Sequence, residues 1–168
     1  QNRVDLVFEI TEGAATQIEK IRFIGNTQYS DSRLREAIAT KETAWWRVLS
    51  NDDTYDPDRL AFDREQLRRF YLAHGYADFR VVSAVAELTP NREAFFITFT
   101  IEEGERYKFG KLEINSALPG LTDTTELKDA VTASEGDTYD GEKVESTVQK
   151  LTAELGRLGY AFVDVKPE

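Results

Sequence analysis

The sequence predicts an α/β (α+β) fold built as a tandem of similar modules, each ordered strand, helix, helix, strand, strand. Three observations carry that expectation. Blocks of sequence recur in the same order along the chain. Stretches of period-two alternation mark half-buried strands, and longer stretches with apolar residues three and four apart mark helices. The 168 residues are 40% hydrophobic and 11% aromatic, which is core material rather than a disordered or linker composition.

The repetition fixes which segments are equivalent. Phe8-Glu9-Ile10-Thr11-Glu12-Gly13 returns as Phe99-Thr100-Ile101-Glu102-Glu103-Gly104 at an offset of 91, and Ile21-Arg22-Phe23-Ile24 matches Leu112-Glu113-Ile114-Asn115 at the same offset. Leu34-Arg35-Glu36-Ala37-Ile38 matches Leu127-Lys128-Asp129-Ala130-Val131 at 93. Asp53-Thr54-Tyr55-Asp56 and Gly75-Tyr76-Ala77 return unchanged as Asp137-Thr138-Tyr139-Asp140 and Gly159-Tyr160-Ala161 at 84. The drop from 93 to 84 assigns the first copy nine extra residues between Ile38 and Asp53, and these contain both tryptophans, Trp45 and Trp46.

Each element can be justified in order. Val4, Leu6, Phe8 and Ile10 alternate with Asp5, Val7, Glu9 and Thr11, so residues 1–13 read as the closing strand of a preceding unit. Residues 14–104 form a complete unit: strand 17–25, helix 30–40, helix 57–74, strand 77–88 and strand 94–103. Ser30-Asp31-Ser32 offers N-cap oxygens to the first helix. Thr89-Pro90-Asn91 supplies the hairpin turn, with Pro fixing one corner and Asn tolerating the next. The inward set of the closing strand is Phe95, Ile97, Phe99 and Ile101. Residues 105–168 repeat the plan as strand 107–115, helix 123–133, helix 141–158 and strand 160–166, without a counterpart of the closing strand. Val144, Val148, Leu151, Leu155 and Leu158 make the last helix strongly amphipathic. Gly75 and Gly159 each follow a long helix as left-handed residues.

Charge and residue usage exclude several functions. The net charge is −10, divided as 12 basic against 14 acidic residues over 1–84 and 9 against 17 over 85–168, so phosphate backbones would be repelled and nucleic acid is not an expected partner. Arg59, Arg64, Arg68 and Arg69 crowd one segment, read as a solvated helix face balanced by Asp58, Asp63 and Glu65. Zero Cys removes disulfides, thiolate zinc sites and Cys nucleophiles. No run approaches the ~18 apolar residues of a membrane span, and no signal peptide is evident. Met is absent even at position 1, which points to an excised or processed piece.

Ile24-Gly25-Asn26 closing the first strand, and Leu72-Ala73-His74-Gly75-Tyr76-Ala77 leaving the second helix, resemble the POTRA (polypeptide-transport-associated) repeat in this element order. Trp45-Trp46-Arg47-Val48, Tyr71-Leu72, Gly75-Tyr76-Ala77 and Leu88-Thr89-Pro90 are similar to the third repeat, with part of the fourth behind it, of outer-membrane β-barrel assembly factors. Each motif is weak alone; their ordered combination over nearly the whole chain is specific. The resemblance implies a three-stranded mixed sheet covered by two antiparallel helices, with the closing strand central and the second strand at an edge. It further implies a periplasmic, non-catalytic scaffold belonging to an outer-membrane protein. Its implied partners are unfolded outer-membrane β-barrel proteins, accessory lipoproteins of the assembly complex and neighbouring POTRA repeats, with the membrane reached only through a C-terminal barrel outside this sequence. Within the family, a two-partner secretion-type transporter is the alternative.

The residues themselves offer little chemistry. His74 is the single histidine, aligned with Leu158 of the second copy, and reads as a packed residue near a helix C-terminus rather than a general base. No Gly-rich phosphate loop, metal-spaced His pair or nucleophile elbow is present, so no catalysis, metal or cofactor is expected. A calcium-binding scaffold module would use Asn51-Asp52-Asp53-Thr54-Tyr55-Asp56-Pro57-Asp58. That segment lacks the central Gly and terminal Glu of an EF-hand loop, and Asp56 before Pro57 reads as an N-cap. Trp45 and Trp46 either pack beneath their loop or form a partner patch.

The second strand is more informative. Ala77, Phe79 and Val81 keep one phase, and Val82, Ala84, Ala86 and Leu88 keep the other, as an extra residue, a β-bulge, would produce. Bulges suit edge strands, whose free N–H and C=O groups accept an incoming strand without demanding a sequence. Polypeptide binding by β-augmentation is therefore assigned to Phe79, Val81, Val82 and Val85, with the adjacent helix face around Arg64 and Arg68.

Overall fold

The computed structural model describes residues 17–44, 53–118, 121, 124–160 and 162–167. In chain order they form β1 (Gln17–Ile24), α1 (Asp31–Ala37), α2 (Pro57–Leu72), β2 (Arg80–Leu88), β3 (Ala94–Glu102), a 3₁₀ helix (Thr125–Ala130) and α3 (Gly141–Arg157). The strand expected within 1–13, the tryptophans Trp45 and Trp46, and Asn51 and Asp52 lie outside the described residues.

Local chemistry starts and stops the helices. Ser30 accepts from the Arg33 N–H at the head of α1. The repeated aspartates do the same job twice: Asp56 accepts from Asp58 and Arg59 N–H before Pro57, and Asp140 accepts from Glu142 and Lys143 N–H. Gly75 and Gly159 follow at φ +103° and +94°, a region a Cβ would make costly. At the hairpin between β2 and β3 the left-handed residue is Arg92, at φ +60°, rather than Asn91. Asn91 instead uses its side-chain oxygen to accept from the Thr89 hydroxyl at 2.5 Å, and the Arg92 N–H bonds the Thr89 carbonyl at 2.8 Å.

The sheet has the order β1-β3-β2, with β1 parallel and β2 antiparallel to the central β3. One face is covered by the helices, α1 over β1 and α2 over β2. Ile18, Ile21, Phe23, Ile97, Phe99 and Ile101 point into that layer and meet Leu34, Ile38, Leu67 and Tyr71, all buried. Phe95, the fourth expected inward residue, is half-buried against Tyr55. Asp63 is a correction: it is fully buried, not part of a solvated face. Its carboxylate takes the Ala39 N–H at 2.7 Å and the Thr40 N–H at 3.3 Å, the exit from α1, which satisfies the charge.

Beyond Gly104 a second, smaller core gathers around Leu127, Leu151 and Leu155, with Ile114, Leu118, Leu121, Tyr160, Val163 and Val165 against it. α3 forms as expected, but the expected strands 107–115 and 160–166 do not form a sheet among the described residues; Lys108 and Thr138 make an isolated bridge. The first sheet shows why. There β1 and β2 pair only through β3, and among the described residues of 105–168 no strand takes that central position. The expected helix 123–133 is reduced to the 3₁₀ segment, whose preceding Thr124 makes no side-chain cap.

Candidate functional site: the sheet edges

The sheet has two edges, and β1's is covered. The Ile18 N–H donates to the Asp53 carbonyl at 2.7 Å, and the Ile18 carbonyl accepts from the Thr43 N–H at 2.8 Å. Further along, the Ile21 N–H donates to Glu42 Oε1 at 2.8 Å and its carbonyl accepts from Arg35 Nη1 at 3.2 Å. The chain linking α1 to α2 therefore occupies this edge from both ends of its excursion.

The β2 edge has no such cover: among the described residues, no backbone hydrogen bond outside the β3 pairing reaches Arg80–Leu88. The pairing also says which groups are free. The Thr89 N–H bonds the Ala94 carbonyl at 2.8 Å, so in steps of two along the register Glu87, Val85 and Ser83 direct their backbone groups at Phe96, Thr98 and Thr100. Leu88, Ala86 and Ala84 direct theirs outward. Between Val81 and Ser83 the register slips, making Val82 the extra residue that the phase change predicts.

The candidate residues divide around this edge. Phe79 is 5% exposed and stacks on Tyr71 at 4.0 Å, so it anchors the start of β2 and has no surface to offer. Val81 also packs on the core. Val82 and Val85 are 52% and 48% exposed, Val85 lying on the open face of the sheet opposite Thr98. Arg33 sits over the Phe70 ring at 5.5 Å, so the Phe70 flank of α2 faces α1. At about 100° per residue, Arg64 and Arg68 fall on the opposite flank, above β2. Both are exposed; Glu65 lies 3.6 Å from Arg68 and 3.3 Å from Arg69, and Arg64 has no ion pair among the described residues.

Sequence reasoning did not single out Glu103. It is 7% exposed, and its carboxylate accepts from the Thr27 N–H (2.9 Å), the Thr27 hydroxyl (2.5 Å), the Gln28 N–H (3.1 Å) and the Tyr71 hydroxyl (2.8 Å). Burial alone would raise its pKa; these donors outweigh burial and hold it below the ordinary value. Burial first, then the bond to Glu103, push the Tyr71 hydroxyl upward. The network fastens the end of β3 to the turn after β1 and to α2. Its signal in the sequence was the repeated Glu12-Gly13 and Glu103-Gly104.

A second set of bonds joins the two cores. The Tyr107 N–H donates to the Gly75 carbonyl at 2.8 Å, Arg106 Nε to the His74 carbonyl at 3.2 Å, and the Tyr107 hydroxyl to Asp78 at 2.6 Å. That last bond pushes the exposed Tyr107 hydroxyl above its ordinary pKa. A Cβ on Gly75 would lie 2.8 Å from Thr138 and 2.9 Å from Arg106, so the junction closes on the glycine itself. His74 packs its ring against Phe70 at 4.4 Å and Tyr29 at 5.6 Å. No group of acidic residues and His able to hold a metal occurs among the described residues.

This three-stranded mixed sheet under two helices, followed by a second copy of the helical plan, defines the class. The POTRA family model, described as surface antigen variable number repeat, matches residues 16–104 and 107–168, and the chain belongs to that family. Within it, the chain is similar to outer membrane protein assembly factor BamA. It is 32% identical to the protein of Neorickettsia risticii over 168 residues, covering 100% of this chain and 22% of the relative. It is 28% identical to the Neisseria meningitidis serogroup B protein over 165 residues, covering 98% and 21%. The chain thus spans about a fifth of the length of these relatives. The crystal structure of Haemophilus influenzae BamA POTRA3-5 shares the fold, with a TM-score of 0.73 at 22% identity, covering 90% of this chain and 59% of that one.

Proposed function

We propose that this chain is a periplasmic scaffold segment of an outer-membrane protein, active in β-barrel assembly, and that it receives unfolded outer-membrane proteins by β-augmentation along β2. The role is non-catalytic. Residues 14–104 are one unit and 105–168 a second, with 1–13 closing a preceding one. The names of the relatives support the assembly role. The single observation that carries the capture mode is the asymmetry of the edges: β1's is bonded over at Ile18 and Ile21, whereas, among the described residues, nothing bonds β2's at Ala84, Ala86 and Leu88. Val82, Val85, Arg64 and Arg68 surround the bare edge, and they, with Trp45 and Trp46, are the surface proposed for clients and accessory lipoproteins.

A pair of prolines tests this. Ala86→Pro removes an outward N–H and leaves the β3 ladder intact, so stability should change by less than ~1 kcal/mol while binding of an extended peptide from a transmembrane β-strand falls at least about tenfold. Val85→Pro removes a ladder N–H instead and should cost ~3 kcal/mol. Unchanged peptide affinity in the folded Ala86→Pro variant refutes pairing at this edge.

A further inference from the structure

The face of the sheet turned away from the helices is uncovered among the described residues, and its side chains form a cross-strand pattern. Successive residues of a strand point to opposite faces, so the residues between the buried ones of β1 and β3 line it. The register sets them in three rows running β1, β3, β2: Lys20, Phe96 and Glu87; then Arg22, Thr98 and Val85; then Ile24, Thr100 and Ser83. Lys20, Arg22 and Glu87 are exposed, Ile24 and Val85 are 50% and 48% exposed, and Phe96, Thr98 and Thr100 are half-buried. Lys20 and Arg22 bound one side of a shallow hollow and Glu87 the other, with Phe96 and Thr98 between them. Cation and anion stand two strands apart, about 10 Å, and none of the three makes an ion pair among the described residues. At the far end of the face Arg80 and Glu102 pair with each other.

We infer that this face docks on the same face of a second copy of the chain, with a twofold axis running along β3. An acidic partner would meet Glu87, and a basic one would meet Lys20 and Arg22, so a partner of one sign does not satisfy the surface. The face itself does so when turned over. Rotation about an axis along β3 exchanges the positions of β1 and β2, because β3 lies between them. Each Lys20 then faces Glu87 of the second copy, Phe96 faces Phe96, and the Arg22 stem lies over Val85. Rotation about an axis across the strands would instead set β1 on β1 and β2 on β2, bringing like charges together. Stacked sheets lie ~10 Å apart, a gap that a lysine and a glutamate reaching from opposite sides span. Three rows of three residues are few against the roughly 20–30 a side of a standard interface, so the dimer is weak, with a Kd of about 10–100 µM.

Sedimentation velocity of the 168-residue chain from about 5 to 500 µM tests this, at ~0.15 M salt to screen the net charge of −10 on each copy. Lys20→Glu and Glu87→Lys alter exposed positions and leave the core intact. In a symmetric dimer each substitution sets like charges together twice, so each alone should weaken self-association at least about tenfold. Mixed in equal amounts, the two variants should form a heterodimer of about the parent affinity, because each supplies the charge the other now lacks. Ala86→Pro separates this dimer from one joined edge to edge at β2: face-to-face association survives it. A chain that stays monomeric throughout, single variants that associate like the parent, or a mixture that stays monomeric overturns the face-to-face dimer. Loss of the dimer in the folded Ala86→Pro variant overturns it as well and assigns association to the β2 edge. Peptide capture at β2 is read separately, so this inference and that one fail independently.

Discussion

Replacing Glu103 by Gln would keep the shape of the network and remove its charge. Thr27 donates to one carboxylate oxygen, the Tyr71 hydroxyl to the other, and the Gln28 N–H reaches both. The amide oxygen can serve the Thr27 side, and the Tyr71 hydroxyl can turn to accept from the new NH₂. What is lost is the charge assistance, so Glu103→Gln should destabilise by ~1–2 kcal/mol at neutral pH. Glu103→Ala strands the buried Tyr71 hydroxyl and the Thr27 N–H and should cost about 3 kcal/mol or more. The pH dependence separates charge from packing. Because the folded carboxyl sits below its ordinary value of 4.5, its contribution is fully present above that value and is lost as pH falls through the lower folded one. Glutamine does not titrate. Urea denaturation followed by tyrosine and tryptophan fluorescence, at pH 7 and again under acid where the parent still folds, should show the gap between parent and Glu103→Gln closing. A gap of the same size at both pH values would refute the claim that the ionised carboxylate organises this corner.

Gly75→Ala and Gly159→Ala form a matched pair. Each forces a left-handed side chain at ~1–2 kcal/mol, but only at Gly75 does the new Cβ strike Thr138 and Arg106, so its thermal midpoint should fall further. Equal falls would mean that the junction does not close on the glycine. Asp63→Ala leaves the Ala39 and Thr40 N–H groups without their acceptor and should cost ~2–4 kcal/mol, whereas an exposed acidic residue of the same helix such as Asp58 should cost under ~1 kcal/mol when replaced; chemical denaturation compares them.

What the sequence revealed and what it hid follow from the range of the forces involved. Capping is local, so Asp56 before Pro57 and its echo Asp140 were legible, as were the left-handed glycines. The bulge at Val82 was legible because one extra residue shifts every later side chain to the other phase. Strand formation is not local. Residues 107–115 and 160–166 have strand-like composition, yet a strand needs a partner, and alternation alone cannot say whether one is present. Buried carboxylates were equally hidden. Asp63 sits among charged neighbours and reads as solvated, and Glu103 is not singled out, because their donors come from backbone 24 and 76 residues away. The bulge was therefore legible, but the free groups of this edge were not. Phe79 and Val81 face the core, and only the hydrogen-bond register identifies Ala84, Ala86 and Leu88.

The bare edge is short, and that sets how long it can hold anything. Three outward residues offer six backbone groups, whose hydrogen bonds contribute roughly 3–9 kcal/mol in all, while ordering about five residues of a client costs roughly 5–10 kcal/mol. On the pairing proposed for β2, backbone bonds alone come close to neutral, so flanking side chains would have to contribute about 4–5 kcal/mol for a dissociation constant of roughly 0.1–1 mM. With association near ~10⁶ M⁻¹s⁻¹, the residence time is on the order of milliseconds. On the same proposed pairing, the bulge at Val82 cuts the usable edge to this length and would make capture self-releasing: a client strand would be held long enough to be kept from other strands and surrendered without an energy source.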